Sequence, residues 1–191
     1  MKVVAVNGSA RKGGNTAQLI EAVFAPLRDA GVECELIELA GKDIRGCTSC
    51  RKCFEAKDRK CHGRKDYINE VHPKLWEADA IILGSPTYFA DVSTEMKALI
   101  DRTGFVSMAN GGLLAKKVGA GVVALRRGGG IHVFDSLNHL FMISQMIVVG
   151  STYWNLGYGR EKGEVQDDAE AMRNMANLGA NMAWLLGKLA E

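Results

Sequence analysis

The sequence predicts an α/β chain built on a doubly wound, five-stranded parallel sheet, on three observations. Short apolar runs alternate with amphipathic stretches from end to end. Most of the runs are nearly continuous in Val, Ile, Leu, Ala and Gly, as strands buried on both faces are. Each is followed by a helical segment long enough to cross back to a parallel neighbour, and such crossovers are right-handed.

Val3–Val6 opens the series. Thr16–Ala30 follows, with Leu19, Ile20, Val23, Phe24 and Leu27 at helical spacing, and it stops before Gly31. Glu33–Leu39 alternates apolar residues with Glu33, Glu35 and Glu38, the pattern of an edge strand. Lys65–Glu77 reads as a helix, Ala80–Gly84 as a buried strand and Ser93–Arg102 as the next helix. Val118–Leu125 and Met146–Val149 are the last two strands, separated by a helix over Val133–Gln145. The final helix spans Asp167–Leu189. Asp167, Asp168 and Glu170 at its start and Lys188 near its end complement the helix dipole.

With 191 residues and 47% hydrophobic content, the expectation is one domain over residues 1–191, carrying a Cys-rich insertion at about 46–62. Lys and Arg number 24 against 22 Asp and Glu, which argues against nucleic acid or a membrane surface as the main partner. The chain begins on a strand-like run with no charged-then-apolar leader, so a cytoplasmic location is expected. An odd number of cysteines, five, four of them crowded together, fits a metal site or free thiols better than a disulfide framework.

In a doubly wound sheet, ligands bind at the carboxyl ends of the strands. The loop after the first strand, Asn7 to Thr16, suits a phosphate. Gly8, Gly13 and Gly14 allow close backbone approach, Ser9, Asn15 and Thr16 offer donors, Arg11 or Lys12 supplies charge, and a helix N-terminus follows. It matches neither the dinucleotide fingerprint nor the P-loop. The loop after the third strand, Gly84-Ser85-Pro86-Thr87-Tyr88-Phe89, places two aromatics where they can wall a planar ring or simply cap the core.

Gly8-Ser9-Ala10-Arg11-Lys12-Gly13-Gly14-Asn15-Thr16 resembles the FMN phosphate loop of the NAD(P)H-dependent FMN reductase branch of the flavodoxin-like superfamily. The usual form there is Gly-Ser-Pro-Arg-x-x-Gly-Asn-Thr, and Ala10 stands where Pro is usual. Pro86-Thr87-Tyr88, followed by Lys97 to Asp101-Arg102, is similar to that branch's flavin-ring loop and its succeeding helix. The resemblance implies a flavodoxin-like strand order, 2-1-3-4-5. It also implies FMN held by Ser9, Arg11, Gly14, Asn15, Thr16, Pro86, Thr87, Tyr88 and Phe89, with Arg127, Gly128 and Gly129 of the fourth loop closing over the far edge. Arg126 and Arg127 can equally meet the extra phosphate of NADPH or stand in solvent. The aromatic, Gly-rich segment Tyr153–Gly159 either covers the flavin or packs at an interface.

Cys47, Cys50, Cys53 and Cys61, spaced x2, x2 and x7, resemble the compact motif of the iron–sulfur flavoproteins, which hold a 4Fe–4S cluster. Zinc and plain thiols remain alternatives. The function implied is an oxidoreductase that takes hydride from NAD(P)H onto FMN and passes electrons to a small molecule or a protein. No acid–base residue is singled out as catalytic, because the chemistry belongs to the cofactor. The alternatives are an electron carrier that never meets a nicotinamide, or a nucleotide-binding regulator. The family resemblance further implies a homodimer or homotetramer.

Overall fold

Parallel pairing sets the architecture of the computed structural model, which describes residues 1–191. β1 (Lys2–Asn7) lies between β2 (Glu33–Glu38) and β3 (Ala80–Pro86), and β3 pairs with β4 (Val118–Leu125). β5 (Ile147–Val148) closes the order β2-β1-β3-β4-β5, the flavodoxin-like order. All eight residues of β4 and Val3 to Val6 of β1 are buried, as their unbroken apolar character requires of central strands.

The far edge departs from expectation. The fifth strand is split: β5 pairs only with Val118 and Gly119, and β6 (Leu156–Tyr158) pairs with Val123 to Leu125. Ile147 and Val148 are exposed rather than buried on both faces, because no strand lies beyond them, while Met146 and Val149 on either side are buried. The chain loops out between the two halves. Asn155, buried, mends the ladder: its carbonyl accepts from the Val123 N–H (2.9 Å) and its side-chain amide donates to the Gly121 carbonyl (3.0 Å).

Helices cover both faces. α1 (Asn15–Asp29) packs with the last helix, α6 in chain order (Ala169–Leu189), over one core containing Leu19, Phe24, Ile82 and Met182. Gly179 lets α6 approach α1 closely, since a Cβ there would collide with the Val23 carbonyl oxygen and with Pro26. On the other face lie α3 (Ile68–Glu77), α4 (Thr94–Ala109) and α5 (Gly130–Ile143), around Leu75, Leu99, Leu137 and Phe141. A short α2 (Lys52–Ala56) falls inside the Cys-rich segment. α4 runs seven residues beyond the expected end at Arg102, because Val106 and Ala109 continue its buried face. A 3-10 turn (Glu164–Asp167) precedes α6, whose first turn is capped by Asp168 accepting from the Ala171 N–H (3.0 Å). No helix is long and apolar enough to cross a membrane.

Candidate flavin site and cysteine cluster

The loop between β1 and α1 organises itself before any ligand is considered. The Asn7 side chain accepts from the Ser9 N–H (2.9 Å), and the Ser9 hydroxyl accepts from the Arg11 N–H (3.1 Å). Glu38, at the end of β2, reaches across to accept from the Gly13 N–H (2.7 Å) and the Asn7 amide (3.3 Å). Gly14 stands at the N-cap of α1 and has no side chain with which to cap it. The first helical hydrogen bond runs from Gln18 N–H to the Gly14 carbonyl, leaving the amides of Asn15, Thr16 and Ala17 without a protein partner. Three free N–H groups at the positive end of a 15-residue helix suit an anion.

The second loop is locked to the first. Ser93 caps α4 by accepting from the Met96 N–H (3.2 Å), and its own hydroxyl donates to the Gly8 carbonyl (2.7 Å). Ser85 in turn accepts from the Ser93 N–H (3.0 Å). Beyond Pro86, Tyr88 and Asp91 exchange both backbone hydrogen bonds around a two-residue turn. Phe89 and Ala90 at its centre have φ of 47° and 65°, a conformation usually left to Gly or Asn. Asp91 holds the turn from outside, accepting from Ser136; that bond, then the Val92 N–H, draws its carboxyl below the ordinary range.

A cleft of about 280 Å³ opens where the carboxyl ends of β1, β3, β4 and β6 meet. Ser9, Arg11, Asn15, Thr16, Pro86, Thr87 and Tyr88, all expected to contact FMN, line it. Gly14 lies behind them as the helix cap. Phe89 does not reach the cleft; the turn throws it fully into solvent. Arg127, Gly128 and Gly129 also stand away from the lining, where Arg126 takes their place. Gly129 instead packs on the turn, since a Cβ there would stand 3.1 Å from the Ala90 Cα. The Asn15 side chain is engaged internally: its amide donates to the Glu161 carbonyl (2.9 Å) and its oxygen accepts from the Gly163 N–H (2.8 Å).

Gly159, at the end of the segment expected either to cover the flavin or to pack at an interface, lines the cleft together with Arg160, which sequence reasoning missed. A Cβ on Gly159 would stand 2.7 Å from the Asn15 amide nitrogen, so only Gly lets the strand end approach the helix start. Glu38 and Ser93 were also missed. Serine directly before a helical stretch is a cap signal for Ser93, whereas nothing local marks Glu38, whose role depends on strand pairing. The buried Thr87 hydroxyl has no partner within the protein.

The four clustered cysteines line one hollow of about 20 Å³, together with Arg102, Phe105 and Val106 of α4. The loop around it holds Ser49, Arg51, Lys57 and Arg59 at positive φ, an unusual density for residues with side chains. The Lys52 N–H and then the Thr48 hydroxyl draw the Cys50 thiol below its ordinary value, while burial pushes Cys53 up. No three His, Cys, Asp or Glu side chains converge tightly enough to hold a single metal ion.

Residues 1–161 match the family model described as NADPH-dependent FMN reductase. This chain belongs to that family of flavoprotein oxidoreductases. Among curated relatives of this FMN reductase family member, an iron-sulfur flavoprotein of Methanocaldococcus jannaschii is 36% identical over 190 residues, covering 96% of each chain. An iron-sulfur flavoprotein of Archaeoglobus fulgidus is 31% identical over 184 residues, covering 96% of this chain and 79% of the relative. Among solved structures, RosB with bound 8-demethyl-8-formylriboflavin-5'-phosphate superposes with a TM-score of 0.79 at 17% identity, covering 100% of this chain and 80% of RosB. A WrbA-like flavodoxin from Agrobacterium tumefaciens gives 0.69 at 19%, covering 98% of both chains. At those identities the superpositions speak for the flavodoxin-like fold.

Proposed function

We propose that the protein is an FMN-dependent oxidoreductase that takes hydride from NAD(P)H and hands electrons to a small acceptor or a redox partner. The observation that carries this is the convergence of Asn15 and Thr16, whose helix-start amides are unpaired within the protein, with Thr87 and Tyr88 on one cleft. The donor set fits FMN. The helix start and the Arg11 and Arg126 guanidinium groups suit a phosphate dianion. When bound, the flavin accepts two electrons as hydride and can release them singly. The protein's part is to orient that group: Tyr88 supplies an aromatic wall, Ser93 ties the second loop to the first, and Glu38 braces the first loop from β2.

Cys47, Cys50, Cys53 and Cys61 would hold a 4Fe–4S cluster as a one-electron outlet. The four thiols line one hollow and, as thiolates, would supply the all-sulfur ligand set such a cluster takes. The hollow is small, so loading requires the loop over 46–51 to swing outward. Cys47 and Cys50 are already exposed there. A reducing, cytoplasmic setting suits five free thiols.

Self-association belongs to the same proposal. A groove of about 750 Å³ between α4 and α5 carries exposed Met108 and Ile143 among polar residues such as Lys97, Asp101 and His139, a mixed surface of the kind subunits cover.

The direct test is anaerobic expression and purification, with flavin, iron and sulfide quantified per chain, followed by NADPH and NADH oxidation assays. One FMN per chain with nicotinamide oxidation supports the oxidoreductase. FMN without it would favour a carrier, and a chain that takes up no flavin would remove the proposal.

A further inference from the structure

Arg102 is the largest side chain that is wholly buried, and burying a guanidinium demands full pairing. Its Nη1 donates to the Asp66 carboxylate, itself buried, and to the Arg45 carbonyl (3.0 Å). Its Nε donates to the Cys61 sulfur (3.3 Å). Nη2 has no partner. Yet Arg102 lines the cysteine hollow, and Nη2 is the one guanidinium nitrogen left without a partner beside it. A buried ion pair alone would be satisfied by Asp66. It explains neither the N–H to sulfur bond nor the idle donor beside it.

We propose that Arg102 is a positioning residue of the cluster site, fixing Cys61 through Nε and offering Nη2 to a cluster sulfur. The inference rests on the cluster reading above. Asp66 orients the guanidinium, and the reciprocal bonds between Asn69 and the Cys61 backbone (both 2.9 Å) hold the cysteine to meet it. The chemistry follows from charge. Taking one electron from reduced flavin makes a four-thiolate cluster one unit more negative, and no proton or bond need move. N–H to sulfur bonds stabilise that more negative form, the guanidinium charge itself being largely offset by Asp66, so they raise the reduction potential and slow loss of iron.

Two variants test this by readouts other than turnover. Arg102→Lys keeps a charge opposite Asp66 but loses the planar fork. Asp66→Asn with Arg102→Gln removes both charges while keeping volume. Wild type and variants are reconstituted anaerobically with iron, sulfide and FMN. FMN per chain, iron per chain, midpoint potential by EPR-monitored titration, and the rate of bleaching by a chelator are then measured. The expected result is wild-type FMN content, a more negative midpoint in both variants, and chelator bleaching faster on the order of ten-fold. Equal midpoints and equal bleaching would overturn the assignment while leaving the cluster reading intact. A variant that fails to fold passes the decision to the other; loss of the fold in both makes Arg102 a core residue only and overturns it. A wild type that takes up no iron and sulfide would instead sink the cluster reading, and with it this one.

Discussion

Glu38 shows how a single carboxylate can shape a ligand loop from a neighbouring strand. It accepts from the Gly13 N–H, one turn of loop before the helix start, and places a negative charge behind the loop rather than in the anion site. Glu38→Ala is expected to weaken FMN affinity about ten-fold, because it removes the bonds to Gly13 and Asn7 that fix the loop in its binding shape, so that binding must supply about 1.5 kcal/mol to order it. Flavin fluorescence titration of the apoprotein checks it. Phe89 and Ala90 illustrate the opposite economy, a strained turn kept for its shape. Ala90→Gly relieves one positive φ and should stabilise the protein by about 1 kcal/mol, read as a higher Tm. His72 is a third residue with a measurable signature. Burial, and then the Arg102 charge, lowers its pKa to about 3, so the folded protein keeps it neutral while an unfolded chain protonates it below about 6.5. Its contribution is therefore complete above that pH and declines as pH falls towards 3. Urea unfolding should lose about 2 kcal/mol between pH 6.5 and pH 5, and His72→Leu should flatten that slope.

Among the elements, those whose fate is decided locally were legible in the sequence. The central strands announced themselves by unbroken Val, Ile and Ala, and β2 by alternation that matches its edge position. What failed to show was set by distant partners. Ile147 and Val148 have the composition of a buried strand, and only the absence of a sixth neighbour leaves them exposed. Leu156-Gly157-Tyr158 is too short and too Gly-rich to carry a strand signal, yet β4 offers it a free edge. The ligand loops divide in the same way. Ser9, Arg11, Thr16, Pro86 and Tyr88 form contiguous motifs, whereas Gly159 and Arg160 reach the cleft, and Glu38 and Ser93 brace its loops, through pairing and capping. Arg126 replaces Arg127 at the cleft because only one of two adjacent residues leaving a strand can face it. α6 gives a test of element packing. Gly179→Ala drives a methyl into the Val23 carbonyl and should cost about 2 kcal/mol or more in stability by denaturant titration.

For the whole molecule, the sheet separates two kinds of chemistry. The flavin cleft is built from strand ends, where backbone geometry is rigid, and the cysteine hollow from an irregular insertion braced on α4. α4 links them: Ser93 at its start fastens the phosphate loop and Arg102 two turns later braces Cys61. The claim beneath all of this is that the first loop grips a phosphate. Titrating the apoprotein with FMN and with riboflavin, which lacks that group, tests it most directly. The structure predicts FMN binding tighter by about 100-fold or more, as befits a dianion held by free helix amides and a guanidinium. Equal affinity for the two flavins would contradict it.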